Sequence, residues 1–184
     1  AFSRTAARAP DKAAVTSSEG TTSFREVERQ SGRLADFLKG NGIDEGAVVH
    51  LVLPNVPAFL PSVLALRRLD ATVGLVSSRY RDAEFRAVTD RMPPTAYLTT
   101  TQLAAVLGRS IEVREIRPIP VFADPSAFSL VYPSSPPSGG RPRVRGLAVV
   151  KFTSGSTGAP KGVGLTEANL LAEAANTVAT LGIT

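Results

Sequence analysis

Residues 152–162 read Phe152-Thr153-Ser154-Gly155-Ser156-Thr157-Gly158-Ala159-Pro160-Lys161-Gly162. Four small hydroxyl residues can donate to phosphate oxygens, and three glycines let backbone N–H groups approach an anion without a Cβ in the way. The lysine adds positive charge, and Pro160 fixes the backbone before it. An ordinary hairpin turn needs one or two special residues, whereas this run commits all of its positions to one chemistry. The composition of the stretch points to phosphate.

Other phosphate loops do not fit. A Walker A loop carries Gly-Lys-Ser/Thr at the start of a helix, but Lys161 precedes Gly162, and Val163 and Leu165 continue as a strand. The dinucleotide fingerprint needs Gly-x-Gly-x-x-Gly and a ribose-binding acid downstream, and neither is present. The expected geometry is a flexible loop between two strands.

The run Phe152 to Val163 resembles the phosphate-binding motif of the adenylate-forming superfamily, aromatic-Thr-Ser-Gly-Thr/Ser-Thr-Gly-x-Pro-Lys-Gly-Val, at every specified position. This superfamily comprises acyl-CoA synthetases, luciferases and the adenylation domains of nonribosomal peptide synthetases. Leu165-Thr166-Glu167-Ala168-Asn169-Leu170 resembles its Thr-His-x-Asn-Leu helix start, with Glu167 in place of histidine. Upstream, Arg8 to Val15 is similar to the Pro-Asp-Lys-x-Ala opening, and Gly46 to Asn55 to the Gly-Asp-x-Val…Leu-Pro-Asn strand. Ala65 to Tyr80 follows the pattern loosely, with Asp70-Ala71 for Gly-Ala and Ser77-Ser78-Arg79-Tyr80 for Asn-Pro-Arg-Tyr.

The resemblance implies an α/β fold, an open, mostly parallel sheet with flanking helices, as a partial N-terminal domain of the adenylate-forming fold. It implies part of an ATP-dependent ligase for a carboxylic acid, expected to be a fatty acid, with CoA as co-substrate. The acid is activated as an acyl-adenylate and passed to a thiol. Thr153, Ser154, Gly155, Ser156, Thr157, Gly158 and Lys161 would bind the nucleotide phosphates, with Ser154, Ser156 and Thr157 on the β- and γ-phosphates. The family's adenine pocket, magnesium-binding acid, ribose-binding aspartate and C-terminal lysine do not appear before Thr184, and the chain begins at Ala1 with Met92 as its one methionine. A fragment of a larger ligase is therefore expected, inactive alone, without a complete catalytic set, its Mg2+ ligand lying outside this chain. The alternatives are a stand-alone, non-catalytic nucleotide- or phosphate-binding module and a luciferase-like oxidase.

The 184 residues, 43% hydrophobic and 20% charged, suffice for one α/β core. The formal charge of +5 is scattered among acids, which reads as a solvated surface. Arg141, Arg143 and Arg145 follow the Pro/Ser/Gly-rich run 133–140, which reads as an exposed linker. A nucleic-acid site would add stacking aromatics, and Tyr132 alone does not supply them. The absence of cysteine excludes disulfides and thiolate ligands or nucleophiles. The apolar stretch Leu51 to Leu66 contains Pro54, Pro57, Pro61 and Asn55 and falls short of a membrane span. The first residues lack a hydrophobic signal core, so a cytoplasmic protein is expected. His50, the one histidine, reads as a structural or surface residue that strand alternation could turn away from the core. No metal site is assigned. Asp82, Glu84 and Asp90 read as the polar face of a helix.

Helix and strand patterns alternate. Ser23 to Glu26 is a capping box before a helix carrying Phe24, Val27, Leu34, Phe37 and Leu38, stopped by Gly40 and Gly42. Strands are expected at 48–53, 71–76, 96–99 and 111–113. Helices are expected after Pro57, with Phe59, Leu60, Val63 and Leu64 on one side, and over 80–92 and 102–107. A strand over 147–152 leads into the phosphate loop and 162–165 leads away. Thr166 then caps a helix carrying Leu170, Leu171, Ala174, Val178 and Leu181. The expected organisation is an α/β subdomain at 1–130, a linker at 131–146, and at 147–184 the beginning of the next subdomain.

Overall fold

A computed structural model describes residues 2–18, 20–122, 124, 126–134, 143–153 and 160–182. Helix α1 (Phe2–Arg8) precedes a small hairpin of β1 (Ala13–Ser17) and β2 (Gly20–Ser23), followed by α2 (Phe24–Gly40), β3 (Val48–Val52), α3 (Phe59–Arg68) and β4 (Thr72–Leu75). Then come α4 (Asp82–Arg91), β5 (Ala96–Thr100), α5 (Thr101–Ser110), β6 (Val113–Pro118), β7 (Phe128–Pro133), β8 (Val149–Thr153), β9 (Lys161–Leu165) and α6 (Glu167–Leu181).

Seven strands form one sheet in the order β6-β7-β5-β3-β4-β8-β9. β5, β3, β4 and β8 are mutually parallel. β6 shares their sense through two antiparallel pairings, and β7 and β9 are reversed. The sheet is thus mostly parallel in strand direction, as expected. On one face α2 and α3 pack over Val49, Leu51, Val73, Leu98, Leu130 and Val149. On the other, Phe85 and Val88 of α4 and Ala104 and Leu107 of α5 cover Val52, Val76, Tyr97 and Val131. Covering both faces explains why every residue of β3 is buried, His50 among four aliphatic side chains.

Ser23 caps α2 by accepting from the Glu26 N–H. The Glu26 carboxylate binds Arg29 and Gln30, so the capping interaction runs in one direction. Val27, Ser31, Leu34, Ala35 and Leu38 then repeat at helical spacing and are buried. α3 buries Pro61, Ser62, Ala65 and Leu66 most deeply, a face rotated from the one expected. The small residues let the helix lie close, and the Ser62 hydroxyl is satisfied by the Ala58 carbonyl at 2.7 Å. Phe59 and Val63 flank this face and are half-buried.

The stretch expected as a linker begins inside β7, whose Leu130, Val131 and Tyr132 are buried. Arg141 and most of the Pro/Ser/Gly run lie outside the described residues. Beyond them the chain is tied down. Arg143 pairs with Asp44 at 3.0 Å, Arg145 approaches Glu45 at 3.8 Å, and the Val144 N–H donates to the Gly46 carbonyl. The buried Thr72 hydroxyl reaches the Val144 and Leu147 carbonyls at 3.1 and 3.0 Å. β8 and β9 therefore extend the first sheet and do not open a second one. The Thr166 hydroxyl accepts from the Asn169 N–H while the Asn169 side chain accepts from the Thr166 N–H, capping α6. That helix buries none of its residues, and Leu171, Val178 and Leu181 are exposed.

Candidate functional site

β8 and β9 form a hairpin paired from Val149 opposite Leu165 to Thr153 opposite Lys161. The phosphate-loop candidates Ser154, Gly155, Ser156, Thr157 and Gly158 lie outside the described residues. The two remaining candidates, Thr153 and Lys161, stand opposite each other where the hairpin opens. Their contact is long, the Thr153 hydroxyl lying 3.5 Å from the Lys161 carbonyl. Both side chains are exposed, and among the described residues the Lys161 ammonium is in no ion pair. It is exposed, while Pro160 beside it is buried.

This opening lies at the carboxyl end of the parallel strand β8, where open α/β sheets place their ligands. The segment after β4 reaches it: the Tyr80 hydroxyl lies 3.4 Å from the Phe152 carbonyl, immediately before Thr153. Burial, and secondarily the Glu84 charge, raises the Tyr80 pKa, which keeps the phenol a donor at neutral pH. Sequence reasoning quoted Tyr80 within a family-like stretch and gave it no role.

Beneath Phe152 lies His50. Alternation does not turn it outward, because both faces of β3 are covered, and the imidazole is completely buried. It is flanked by its parallel-register neighbours Tyr97 on β5 and Gly74 on β4. The imidazole meets the Tyr97 ring edge-on at a centroid distance of 5.5 Å and the Phe152 ring edge-on at 5.8 Å. Neither imidazole nitrogen completes a hydrogen bond among the described residues. Burial drives the His50 pKa down to about 3, against a smaller opposing pull from the Met92 backbone. The ring is neutral at physiological pH and serves neither as a cation nor, sealed from solvent, as a general base. Tyr97, its pKa pushed up to about 12 by burial, shares a hydrogen bond with Thr89 at 3.1 Å.

Among the described residues no group of three or more His, Cys, Asp or Glu side chains could hold a metal ion. Asp82 and Asp90 are exposed on α4, and Glu84 accepts from the Arg81 N–H at its start. No helix among the described residues is long and apolar enough to cross a membrane.

The family model described as AMP-binding enzyme matches residues 2–182. The chain belongs to the AMP-binding enzyme family. Among curated relatives, novobiocin biosynthesis protein H of Streptomyces niveus is 33% identical, the match covering 100% of this chain and 31% of that protein. Pyochelin synthetase PchF of Pseudomonas aeruginosa is 29% identical over 91% of this chain and 9% of its own length. Among solved structures, o-succinylbenzoate CoA synthetase of Bacillus subtilis with its acyl-adenylate intermediate superposes with a TM-score of 0.76 at 20% identity, covering 100% of this chain and 46% of that one. A long-chain-fatty-acid-CoA ligase of Archaeoglobus fulgidus gives 0.74 at 21%, covering 100% and 39%. The chain thus spans about a third of the first curated relative and under half of these solved ones, and its fold is that of the N-terminal domain of adenylate-forming enzymes.

Proposed function

We propose that this chain supplies the phosphate-binding part of an ATP-dependent ligase that joins a carboxylic acid to a thiol. The observation that carries the reading is the β8–β9 hairpin, which sets Thr153 opposite the exposed Lys161 at the two ends of the hydroxyl- and glycine-rich stretch, inside a family match covering the whole described chain. In the first half-reaction a carboxylate oxygen attacks the α-phosphorus of ATP, the bond to the β-phosphate oxygen breaks, and pyrophosphate leaves. Negative charge gathers on the phosphate oxygens, so donors already aimed there lower the barrier. In this reading Lys161 neutralises that charge, Thr153 donates its hydroxyl, and Ser154, Gly155, Ser156, Thr157 and Gly158 hold the β- and γ-phosphates. In the second half-reaction the thiol sulfur attacks the acyl carbon, loses its proton, and AMP departs. Magnesium would screen the phosphates, with ligands supplied from outside this chain. The exposed α6 supports the further proposal that residues 147–184 lead into a next subdomain.

The acid is proposed to be a fatty acid and the thiol CoA, as the fold shared with CoA ligases supports. A second reading, an amino or aryl acid passed to a carrier-bound thiol, is favoured by the peptide synthetases among the relatives. The test is acid-dependent exchange of labelled pyrophosphate into ATP by the full-length protein, followed by thioester formation with CoA or with a phosphopantetheinyl carrier protein. Exchange driven by fatty acids and a CoA product support the first reading. Amino- or aryl-acid-driven exchange with carrier loading supports the second. ATP binding without exchange for any acid would leave a binding module and overturn both.

A further inference from the structure

We propose that His50 is a positioning residue for the phosphate loop, acting through the ring of Phe152, and that Gly74 is the notch that lets it do so. This rests on the reading of the β8–β9 loop as an ATP site.

Phe152 is the last β8 residue before Thr153 and pairs across the hairpin with Gly162, so it touches both arms of the loop. A Cβ at Gly162 would lie 3.4 Å from Phe152 Cε1 and 3.3 Å from Val150 Cγ1, so the outgoing strand lies closely over the ring. From inside the sheet the His50 ring meets the same ring in a T-shaped contact. The His50 side chain reaches there because β4 has no side chain in its path: a Cβ at Gly74 would lie 2.4 Å from His50 Cδ2. Phe85, Tyr97, His50 and Phe152 form an unbroken row of ring contacts from α4 to the base of the loop, with successive centroids 5.5, 5.5 and 5.8 Å apart. Tyr80 holds the backbone of the same residue through its carbonyl. The Phe152 ring is confined from below by the His50 ring and from the side by the outgoing strand, and Thr153 follows directly on that confined residue.

A fully buried imidazole whose nitrogens complete no hydrogen bond of good geometry among the described residues is a poor choice for stability alone, since an apolar side chain of similar size would fill the space without burying polar atoms. Its shape explains its presence: a flat ring on a short stem that can pass the Gly74 notch and present an edge to Phe152. The residue touches no phosphate, and its effect on binding is transmitted through packing.

The experiment is calorimetric titration of MgATP into the full-length protein, with thermal melting in parallel. Two variants remove the aromatic edge by different routes: His50→Leu, and His50→Ala/Gly74→Val, which refills the notch from the other strand. Each is expected to bind MgATP about 5- to 10-fold more weakly, and the loss should disappear when Phe152 is already leucine, since coupled neighbours are non-additive. His50→Phe restores an aromatic edge without the nitrogens and should bind within about two-fold of wild type. Unchanged affinity in a folded edge-less variant, a loss that persists fully in the Phe152→Leu background, or a His50→Phe protein as weak as His50→Leu would each overturn the proposal. Failure of the wild-type protein to bind MgATP would instead overturn the ATP-site reading on which it rests.

Discussion

Gly74 and His50 occupy one space between them: they are register partners on adjacent parallel strands, and the imidazole fills the volume a side chain at residue 74 would need. Gly74→Ala is expected to destabilise the protein by about 1–3 kcal/mol, the range for overpacking a tight interior. In a His50→Ala background the same change should be close to neutral. A thermal-melting cycle over the four proteins checks both, and equal losses in the two backgrounds would refute the shared volume.

The depressed pKa of His50 gives stability a specific pH dependence. Unfolded, the ring takes up a proton near its ordinary value of 6.5; folded, it does so only near 3. Between those values the unfolded chain binds the extra proton, so this contribution is complete above pH 6.5 and declines as the pH falls towards 3, by at most about 1.4 kcal/mol per pH unit. Tyr97 and Tyr80, which lie close by, stay uncharged throughout that window. Glu26, Glu115 and Asp124, all held below their ordinary values by hydrogen bonds, weaken the fold in the same direction at lower pH. They are common to both proteins and cancel when wild type is compared with His50→Leu. Denaturant unfolding from pH 8 to 4 should show a flatter acid limb for His50→Leu, with stability at pH 7 no lower than wild type. Parallel curves would contradict the assignment.

On the proposed ligase reading, removing Lys161 should separate the half-reactions. Lys161→Ala in the full-length enzyme is expected to slow pyrophosphate exchange about 10- to 100-fold, as loss of one preorganised phosphate partner does. Thiolation of preformed adenylate, which no longer carries the β- and γ-phosphates, should change much less. Equal losses in both assays would place Lys161 outside phosphate binding.

Thr72 and Arg143 hold the same segment with unequal strength. Thr72 is fully buried and its hydroxyl meets two carbonyls, so Thr72→Val should cost about 1–3 kcal/mol by stranding them. The Arg143–Asp44 pair is half-exposed, and Arg143→Ala should change stability by under about 1 kcal/mol. Denaturant midpoints of the two variants test the ranking.

What the sequence disclosed follows from how locally each feature is encoded. α2 could be read from its cap and from the spacing of Val27, Leu34 and Leu38, and the capped start of α6 from Thr166 and Asn169. β7 was not anticipated. Its apolar Leu130 and Val131 sit beside Ser129, and its partners β5 and β6 precede it across an irregular stretch, so no short-range turn signal announces the pairing. β6 was expected to be shorter and to begin before Val113, because its exposed charged residues hide the strand period. The family was legible because the motif that carries the resemblance is contiguous. The packing of His50, Gly74 and Phe152 was not, because these three are distant in sequence and meet only through the register of three parallel strands.

That register also orders how the molecule is made. Val73 of β4 pairs with Val149 of β8, and all of α4, α5 and β5 to β7 are synthesised between them. Until β8 emerges, β4 is an edge, with a row of backbone donors and acceptors and an apolar face available to any other strand. The β8–β9 arm that carries the proposed phosphate loop is therefore also the cover for that edge. The pairing closes a long loop, the slow kind of contact in folding. In the nascent chain, completing the site and hiding its most adhesive strand are the same event.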